Sequence, residues 1–286
     1  MPARIDTSET EMLSSLARQR FSLESGITLE TDYLAVEEPL QISLQWDEDS
    51  LQQQREWSLT MRTPGDDKAL IKGLLLTQQV IEQLECIESI EPFDCQRRHE
   101  ENHMLVSLKS GCIPKLEDNQ RSYMSQSSCG ICGLTSLRAL SLQCEVHLDQ
   151  ATHWLEPALV LSYPEQLRQQ QSLFKQTGAV HGAGYAVDGQ IIAIAEDVGR
   201  HNAVDKLIGH IKTDGWHPQG VLVLSGRVSF ELIQKAVIAG ISTIVAVGAP
   251  SNLAVTMAKQ FGVTLIGFTK VRQFNIYHGH WRLKSE

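Results

Sequence analysis

The sequence predicts an α/β protein, with a C-terminal domain built on a largely parallel sheet and a smaller N-terminal α+β domain. Three strand–loop–helix units follow one another in the last third of the chain, and their strands are near-continuous apolar runs. Such runs are typical of parallel strands that helices cover on both faces. The N-terminal part instead shows short strands of alternating polarity, and 286 residues are enough for two domains with separate cores.

The N-terminal part begins with a polar, aperiodic segment, residues 1–25, which predicts a flexible tail. Alternating apolar and polar residues then predict the strands of an α+β domain over residues 26–125. A helix with an apolar stripe is expected after the break at Arg62-Thr-Pro-Gly-Asp-Asp67. The predicted strands lie at 27–30, 34–36, 42–46, 57–61 and 104–108.

The C-terminal α/β domain is expected over residues 126–286, with a cysteine-containing loop at its start. A polar stretch at 110–130 leads into this loop, and loops of such length are usually functional or disordered. Further along, the Asp188-Gly189 dipeptide predicts a hairpin turn. Predicted strands lie at 191–195, 221–224, 243–247 and 263–268, and helices follow the first three.

Composition excludes several classes of function. The formal net charge is −9 and the pI about 5.6, so a broad surface for nucleic acid or for an anionic membrane is not expected. No uncharged apolar run approaches the ~20 residues that a membrane helix needs. The N-terminus lacks the apolar core of a secretory signal. We therefore expect a cytoplasmic protein whose six cysteines are thiols or ligands rather than disulfides.

The most specific motif is the thiol pair Cys129-Gly-Ile-Cys132. Two cysteines at this spacing can form half of a metal site, close a redox disulfide, or carry sulfur as a persulfide. Gly130 and Gly133 remove bulk beside both sulfurs, so a large partner can approach them closely. A short helix is predicted after Gly133, and its N-terminus would favour the thiolate form of Cys132.

The metal and redox alternatives fit the sequence less well. Cys144 and His147 could complete a zinc site with Cys129 and Cys132, but a predicted helix fills the gap between the two pairs. A thioredoxin-like role requires the motif just after an early strand of a βαβ unit, and that context is missing. The other cysteines (Cys86, Cys95 and Cys112) show no pattern that predicts a partner.

Polar, glycine-containing segments follow the predicted C-terminal strands. They lie at 196–202, 225–229, 248–252 and 268–273. Ligands bind beyond the carboxyl ends of strands in such sheets, and helix N-termini there favour phosphate. Four cations (Arg200, Arg227, Lys270 and Arg272) would surround one opening, which predicts an anionic, phosphorylated ligand. The candidate contacts in and beside these segments also include His181, His201, Asn202, Ser225 and Gly226.

Taken together, these motifs resemble the formate dehydrogenase accessory sulfurtransferase (FdhD) family from about residue 30 to about residue 277. The resemblance rests on Arg62–Asp67, the Ser127–Gly133 cysteine motif, Thr177–His181, the Glu196–Lys206 block and Ser225–Glu231. It implies a sulfur carrier that passes persulfide sulfur from a cysteine desulfurase to the molybdenum bis(molybdopterin guanine dinucleotide) cofactor, which is then delivered to formate dehydrogenase. It further implies that the larger domain is cytidine-deaminase-like, with three layers, and that the protein forms homodimers.

For individual residues, the resemblance implies that Cys129 carries the persulfide, and we expect Cys132 to assist. It also assigns cofactor binding to Phe268, Thr269, Lys270, Val271, Arg272 and Gln273, and a GDP-like nucleotide is a further expected ligand. One departure is that Thr269-Lys270 stands where arginine is expected, and lysine cannot make the same two-pronged phosphate contact. Deaminase chemistry is not expected, because no Glu follows His181 and Ser128, rather than Pro, precedes Cys129.

Two other functions remain open from the sequence. The first is a zinc-stabilised module that binds a nucleotide or cofactor without transferring sulfur. The second is a chaperone in which the cysteine pair anchors a partner enzyme.

Overall fold

A computed structural model describes residues 12–93, 102–116 and 148–284 of the chain. It begins with a two-stranded antiparallel sheet of β1 (Leu13–Ser22) and β2 (Gly26–Ala35). The second half of the predicted flexible tail is therefore a strand. Tail and strand are hard to distinguish by sequence here, because β1 is mostly polar and its residues are largely exposed.

The second sheet has four strands, β3 (Glu38–Glu48), β4 (Leu51–Arg62), β5 (Ile87–Pro92) and β6 (His103–Leu108), in the order β4-β3-β6-β5. Only the β3–β6 pairing is parallel within this sheet. Helix α1 (Asp67–Thr77) covers its inner face, and a 3₁₀ turn at Leu84–Cys86 precedes β5. The alternating apolar residues of β3 (Leu40, Ile42 and Leu44) pack against α1 in one core.

The third sheet has six strands in the order β12-β11-β10-β9-β7-β8. They are β7 (His181–Val187), β8 (Gln190–Asp197), β9 (Val221–Leu224), β10 (Thr243–Ala246), β11 (Thr264–Lys270) and β12 (Gln273–His278). Two pairings in this sheet are parallel, β9–β10 and β10–β11. The other three, β7–β8, β7–β9 and β11–β12, are antiparallel. The sheet is therefore mixed, not largely parallel as predicted, because tight turns at 188–189 and 271–272 reverse the chain.

Helices cover both faces of this sheet and give three layers. Helix α2 (Pro157–Gln170) lies on one face, and it is followed by α3 (Ser172–Thr177). The other face is covered by α4 (Arg200–Thr213), α5 (Phe230–Ile238) and α6 (Asn252–Phe261). A 3₁₀ turn at His280–Arg282 follows β12. In the described ranges, no helix is both long and apolar enough to cross a membrane.

Helices α1 and α4 join the four-stranded and six-stranded sheets. They cross where Gly73 faces the backbone of Asp205 and Gly209 faces the backbone of Ala69, and a Cβ atom on either glycine would overlap the opposite carbonyl. The two helix backbones are therefore in direct contact. This close crossing places the loop after β4 beside the start of α4, where the predicted site begins.

Candidate functional site

The predicted site segments lie at one edge of the six-stranded sheet. This edge contains the carboxyl ends of β8, β9, β10 and β11 and the first residue of the antiparallel β7. Backbone hydrogen bonds connect the segments: Ser225 donates to Gly182 at 3.0 Å, Gly248 to Gly226 at 3.1 Å, and Phe268 to Gly248 at 3.1 Å. We call this edge the mouth and define it as residues 181–182, 197–202, 225–228, 248–250 and 267–273.

Glycine is required where the mouth segments meet. A Cβ atom on Gly248 would lie 2.7 Å from the backbone carbonyl of Gly226, and one on Gly267 would lie 3.0 Å from the Gly248 carbonyl. Both distances are shorter than ordinary carbon contacts. The backbones of these segments are therefore in direct contact, which fixes their spacing at the mouth.

A buried ion pair fixes the start of the mouth to the N-terminal part of the chain. Asp197 is fully buried, and Lys206 Nζ lies 2.8 Å from its Oδ2. Thr63 contacts both partners, because its N–H donates to Asp197 Oδ2 at 3.1 Å and its carbonyl accepts from Lys206 Nζ at 2.7 Å. The N–H of Val198 donates to Thr63 Oγ1 at 3.1 Å. The ends of the Glu196–Lys206 block thus hold the Thr63 loop in place.

Asn202 also connects the N-terminal part of the chain to α4, and it does not face the open surface of the mouth. It is 5% exposed, and its Nδ2 donates to the Met61 carbonyl at 2.7 Å. The sequence predicted a cofactor contact for Asn202, but the structure uses its amide to attach β4 to α4. Glu196 is also structural, since its carboxylate accepts the N–H groups of Leu173 and Phe174 at the start of α3, each at 2.9 Å.

His181 lies among the cations of the mouth. Burial lowers its pKa below the ordinary histidine value, and the positive charges of Arg200 and Arg227 lower it further. His201 adds to this effect, and Asp197 opposes it. The imidazole of His181 is therefore neutral at pH 7 and can donate or accept a hydrogen bond. The structure thus brings together four residues that the sequence predicted for this site: His181, Arg200, His201 and Arg227.

Contacts with neighbouring elements fix the positions of His201 and Ser225. His201 Nε2 lies 3.0 Å from Glu231 Oε2 of α5, and His201 lowers the pKa of Glu231 against the opposing effect of burial. Ser225 Oγ accepts the N–H of Gly182 at 2.9 Å. Within the described residues, the buried Nε of Arg200 has no hydrogen-bond partner. The Nε of Arg200 is thus unpaired, while His201 and Ser225 contact the protein itself.

The other side of the mouth is the turn from β11 to β12. Phe268 has a left-handed backbone (φ 51°) and remains 43% exposed, and its position is held by the hydrogen bond to Gly248. Thr269 is buried, whereas Val271 is 85% exposed. Lys270, Arg272 and Gln273 are also exposed. This turn lies two strands away from the loop that carries Arg227, so the cations form two groups along one edge.

The FdhD/NarQ family profile matches residues 35–284. The chain belongs to this family. Curated relatives named "Sulfur carrier protein FdhD" include one from Streptomyces avermitilis, 38% identical, with 91% of this chain and 92% of the relative covered. Another, from Mycobacterium tuberculosis, is 40% identical, with 85% and 89% covered. The match confirms the resemblance inferred from the motifs.

A further curated relative and one solved structure also match the chain. The sulfur carrier protein FdhD of Sulfolobus acidocaldarius is 36% identical, with 86% of this chain and 89% of the relative covered. A crystal structure from Desulfotalea psychrophila, described as that of a formate dehydrogenase accessory protein, has a TM-score of 0.70 and 22% identity. It covers 95% of this chain and 99% of that one, and it supports the mixed α/β fold.

The family's cysteine motif lies outside the described residues, and so do Cys144 and His147 of the zinc alternative. Over the described ranges, no group of three or more His, Cys, Asp or Glu residues could hold a metal ion. The expected roles of Cys129 and Cys132 therefore remain predictions.

One thiol contact was missed by the sequence analysis. Cys86 and Cys112 lie at the margin of the N-terminal core, and their thiols contact each other. Burial, followed by the hydrogen bond with Cys112, raises the pKa of Cys86 to about 11. Cys86 is therefore a protonated, weakly nucleophilic thiol at neutral pH. Spacing could not reveal this contact, because it depends on the pairing of β5 with β6.

Proposed function

We propose that this protein is a sulfur carrier. It receives persulfide sulfur from a cysteine desulfurase at Cys129 and passes it to the molybdenum bis(molybdopterin guanine dinucleotide) cofactor used by formate dehydrogenase. The observation that carries this proposal is membership of the FdhD/NarQ family over residues 35–284, with relatives that are named sulfur carriers. The cationic mouth supports it, because the cofactor is a phosphorylated substrate of large size.

The loading step is an exchange between sulfur atoms. The Cys129 thiolate attacks the terminal sulfur of the desulfurase persulfide, and a new S–S bond forms on Cys129. The old S–S bond breaks, and its electron pair leaves as the desulfurase thiolate. Rates of such exchanges depend on the thiolate fraction of the attacking group and on access to it. The glycines beside Cys129 favour that access.

Release uses the second cysteine. The Cys132 thiolate attacks the Cys129 sulfur of the persulfide, which forms a Cys129–Cys132 disulfide and expels the terminal sulfur as hydrosulfide next to the cofactor. A dithiol reductant then restores both thiols, and is itself oxidised to a disulfide. In this scheme the protein acts as a sulfurtransferase, and its thiols require a reducing compartment such as the cytoplasm.

The mouth supplies binding rather than chemistry. Arg200 and Arg227 lie beside neutral His181, and the exposed Lys270 and Arg272 lie on the same edge. We assign phosphate binding to these cations, because guanidinium groups match phosphate oxygens in geometry and charge. A GDP-like nucleotide should bind at the same place. The cytidine-deaminase-like arrangement and the homodimer implied by the family resemblance belong to this proposal as well.

Sulfur loading tests the proposal directly. The protein is incubated with a cysteine desulfurase and ³⁵S-cysteine, and the label is located by non-reducing gel and peptide mass spectrometry. We expect label on the peptide that contains Cys129, released by dithiothreitol and absent in Cys129→Ser. Cys86→Ser is the matched control and should load normally, because Cys86 is a protonated thiol. Equal loading of the wild type and a Cys129→Ser/Cys132→Ser variant would overturn the proposal.

Metal analysis of the same preparations distinguishes the zinc alternative from sulfur transfer. Near-stoichiometric zinc that is lost in Cys129→Ser, together with absent sulfur loading, would instead support a zinc-stabilised binding module.

A further inference from the structure

A second pair of thiols lies in the N-terminal part of the chain, outside the mouth. Cys86 ends the 3₁₀ turn before β5, and Cys112 follows β6. We call these two residues the second thiol pair. Both side chains pack against the core between the four-stranded sheet and α1, and a hydrogen bond joins their sulfur atoms. The proposed sulfur transfer uses neither residue, so it gives this contact no role.

Backbone hydrogen bonds place the two sulfur atoms together. The N–H of Lys109 donates to the Cys86 carbonyl at 2.9 Å, at the end of the β5–β6 pairing. A tight turn follows, in which the N–H of Cys112 donates to the Lys109 carbonyl at 3.0 Å and Gly111 has a left-handed backbone (φ 85°). This turn directs Cys112 back towards Cys86. The contact is thus set by the backbone and not only by flexible side chains.

The arrangement of the second thiol pair is close to that of a disulfide. A disulfide requires an S–S distance of about 2.05 Å and Cα atoms within about 7 Å of each other. Because the two sulfur atoms already share a hydrogen bond, small rotations of the side chains bring them to bonding distance. Neither residue is fully buried, so a small reagent can reach the pair from solvent.

The two thiols differ in reactivity. Burial raises the pKa of Cys86 to about 11, and the hydrogen bond with Cys112 and the negative charge of Glu82 act in the same direction. Cys86 therefore keeps its proton at neutral pH, and its S–H can donate to a thiolate on Cys112. Since the thiolate is the nucleophile in thiol–disulfide exchange, Cys112 should react first and Cys86 second.

We propose that Cys86 and Cys112 are a redox modification site, which closes as an intramolecular disulfide on reaction with a low-molecular-weight disulfide such as oxidised glutathione. In the first step the Cys112 thiolate attacks one glutathione sulfur, a mixed disulfide forms, and the other glutathione leaves as a thiolate. In the second step Cys86 loses its proton to water, and its thiolate attacks the Cys112 sulfur and expels the second glutathione as a thiolate. Two protein thiols are oxidised, and one glutathione disulfide is reduced to two thiols. A dithiol reverses the reaction.

Peptide mapping tests the inference, which does not depend on sulfur transfer. The folded wild type is equilibrated in buffers of varied reduced and oxidised glutathione, quenched with acid, alkylated and digested. We expect the peptides of Cys86 and Cys112 to be linked to each other. The linked fraction should follow the oxidised glutathione concentration divided by the square of the reduced one, because two glutathione molecules are released. Cys86→Ser is the matched control, and in it Cys112 should retain glutathione as a mixed disulfide.

Thermal unfolding of the same samples gives a second readout. A link between residues 86 and 112 restricts the unfolded chain, so the oxidised wild type should melt on the order of 5 °C above the reduced protein. Dithiothreitol should reverse this shift, and neither Cys86→Ser nor Cys112→Ser should show it. Absence of the linked peptide in excess oxidised glutathione would overturn the inference, whether the two thiols stay free, carry glutathione or pair with other cysteines. Normal ³⁵S loading of Cys112→Ser would separate this site from the proposed function.

Discussion

The two sides of the mouth are built differently, although both were predicted from the sequence as cation-bearing loops. On the first side His181 and Arg200 are partly buried, beside the exposed Arg227, and this side is backed by a buried ion pair and by α5. The side formed by the β11–β12 turn is exposed from Lys270 to Gln273. A preorganised site loses less conformational entropy when a ligand binds. The first side should therefore dominate affinity, and the second should contribute weakly.

Support for the first side comes from outside its own sheet. Thr63 of the loop after β4 contacts both Asp197 and Lys206, and the crossing of α1 and α4 at Gly73 and Gly209 keeps that loop close. No comparable contact to the N-terminal part is found for the 268–273 turn among the described residues. We therefore expect the effects of substitutions on stability and on ligand affinity to decrease from the buried Asp197–Lys206 pair to the exposed turn.

The largest effect is expected from Lys206→Met, which removes the cation beside fully buried Asp197. Breaking a buried pair by removing one partner costs about 3–5 kcal/mol of unfolding free energy. Urea denaturation followed by circular dichroism measures this loss. Lys270→Met, at an exposed position, should change the unfolding free energy by less than about 0.5 kcal/mol. Similar values for the two variants would contradict the assigned role of the pair.

A smaller loss of stability is expected from Gly248→Ala. Its new Cβ atom would lie 2.7 Å from the Gly226 carbonyl, so the two loops must separate. Overpacking of this kind costs about 1–3 kcal/mol. Gly199→Ala is the control, because a Cβ atom there would meet its neighbours at 3.4 Å or more. The same denaturation experiment compares them, and an unchanged Gly248→Ala would mean that the mouth segments are not rigidly joined.

Ligand affinity should distinguish the two sides of the mouth. With GDP as the probe in isothermal titration calorimetry, Arg200→Ala, at a partly buried position, should weaken binding about 10- to 100-fold, as loss of a charged hydrogen bond does. Arg272→Ala should weaken it at most about fivefold, because ion pairs at exposed positions contribute little. The reverse order of effects would show that the exposed turn, not the His181 side, determines affinity.

The smallest effect is expected in the pH dependence of stability. The pKa of His181 is lowered in the folded protein, so the unfolded chain binds the proton more tightly. Stability should therefore fall as the pH drops from about 6.5, the ordinary histidine pKa, towards the lower folded value. In His181→Gln this part of the decline should disappear, a difference on the order of one degree in thermal midpoint. A steeper decline in the variant would contradict the assignment.

The sequence located the mouth correctly because polar segments at strand ends are a local signal. It could not predict strand direction, since β7 and β12 carry the same apolar pattern whether they run parallel or antiparallel to their neighbours. It also could not separate binding residues from structural ones within the Glu196–Lys206 block. Asn202 was predicted as a ligand contact, and only its hydrogen bond to the distant Met61 shows its structural role. The role of Lys206 likewise depends on the distant Thr63.

The β1–β2 sheet and the contact between Cys86 and Cys112 show the same limit. The exposed face of β2 alternates as a strand does, but nothing in the sequence indicates that β1 pairs with it alone. Cys86 and Cys112 likewise meet only through the pairing of β5 with β6. Pairings between distant segments are decided by the whole fold, so local patterns do not reveal them.

Single-turnover sulfur transfer tests the central claim most directly. Protein carrying ³⁵S on Cys129 is mixed with the molybdenum bis(molybdopterin guanine dinucleotide) cofactor and a dithiol, and the label reaching the cofactor is counted. We expect the wild type to transfer its label, whereas Arg200→Ala/Arg227→Ala should load sulfur normally but transfer at least tenfold less. Equal transfer by both proteins would contradict a role for the mouth in holding the cofactor, and no transfer by the loaded wild type would contradict the carrier function.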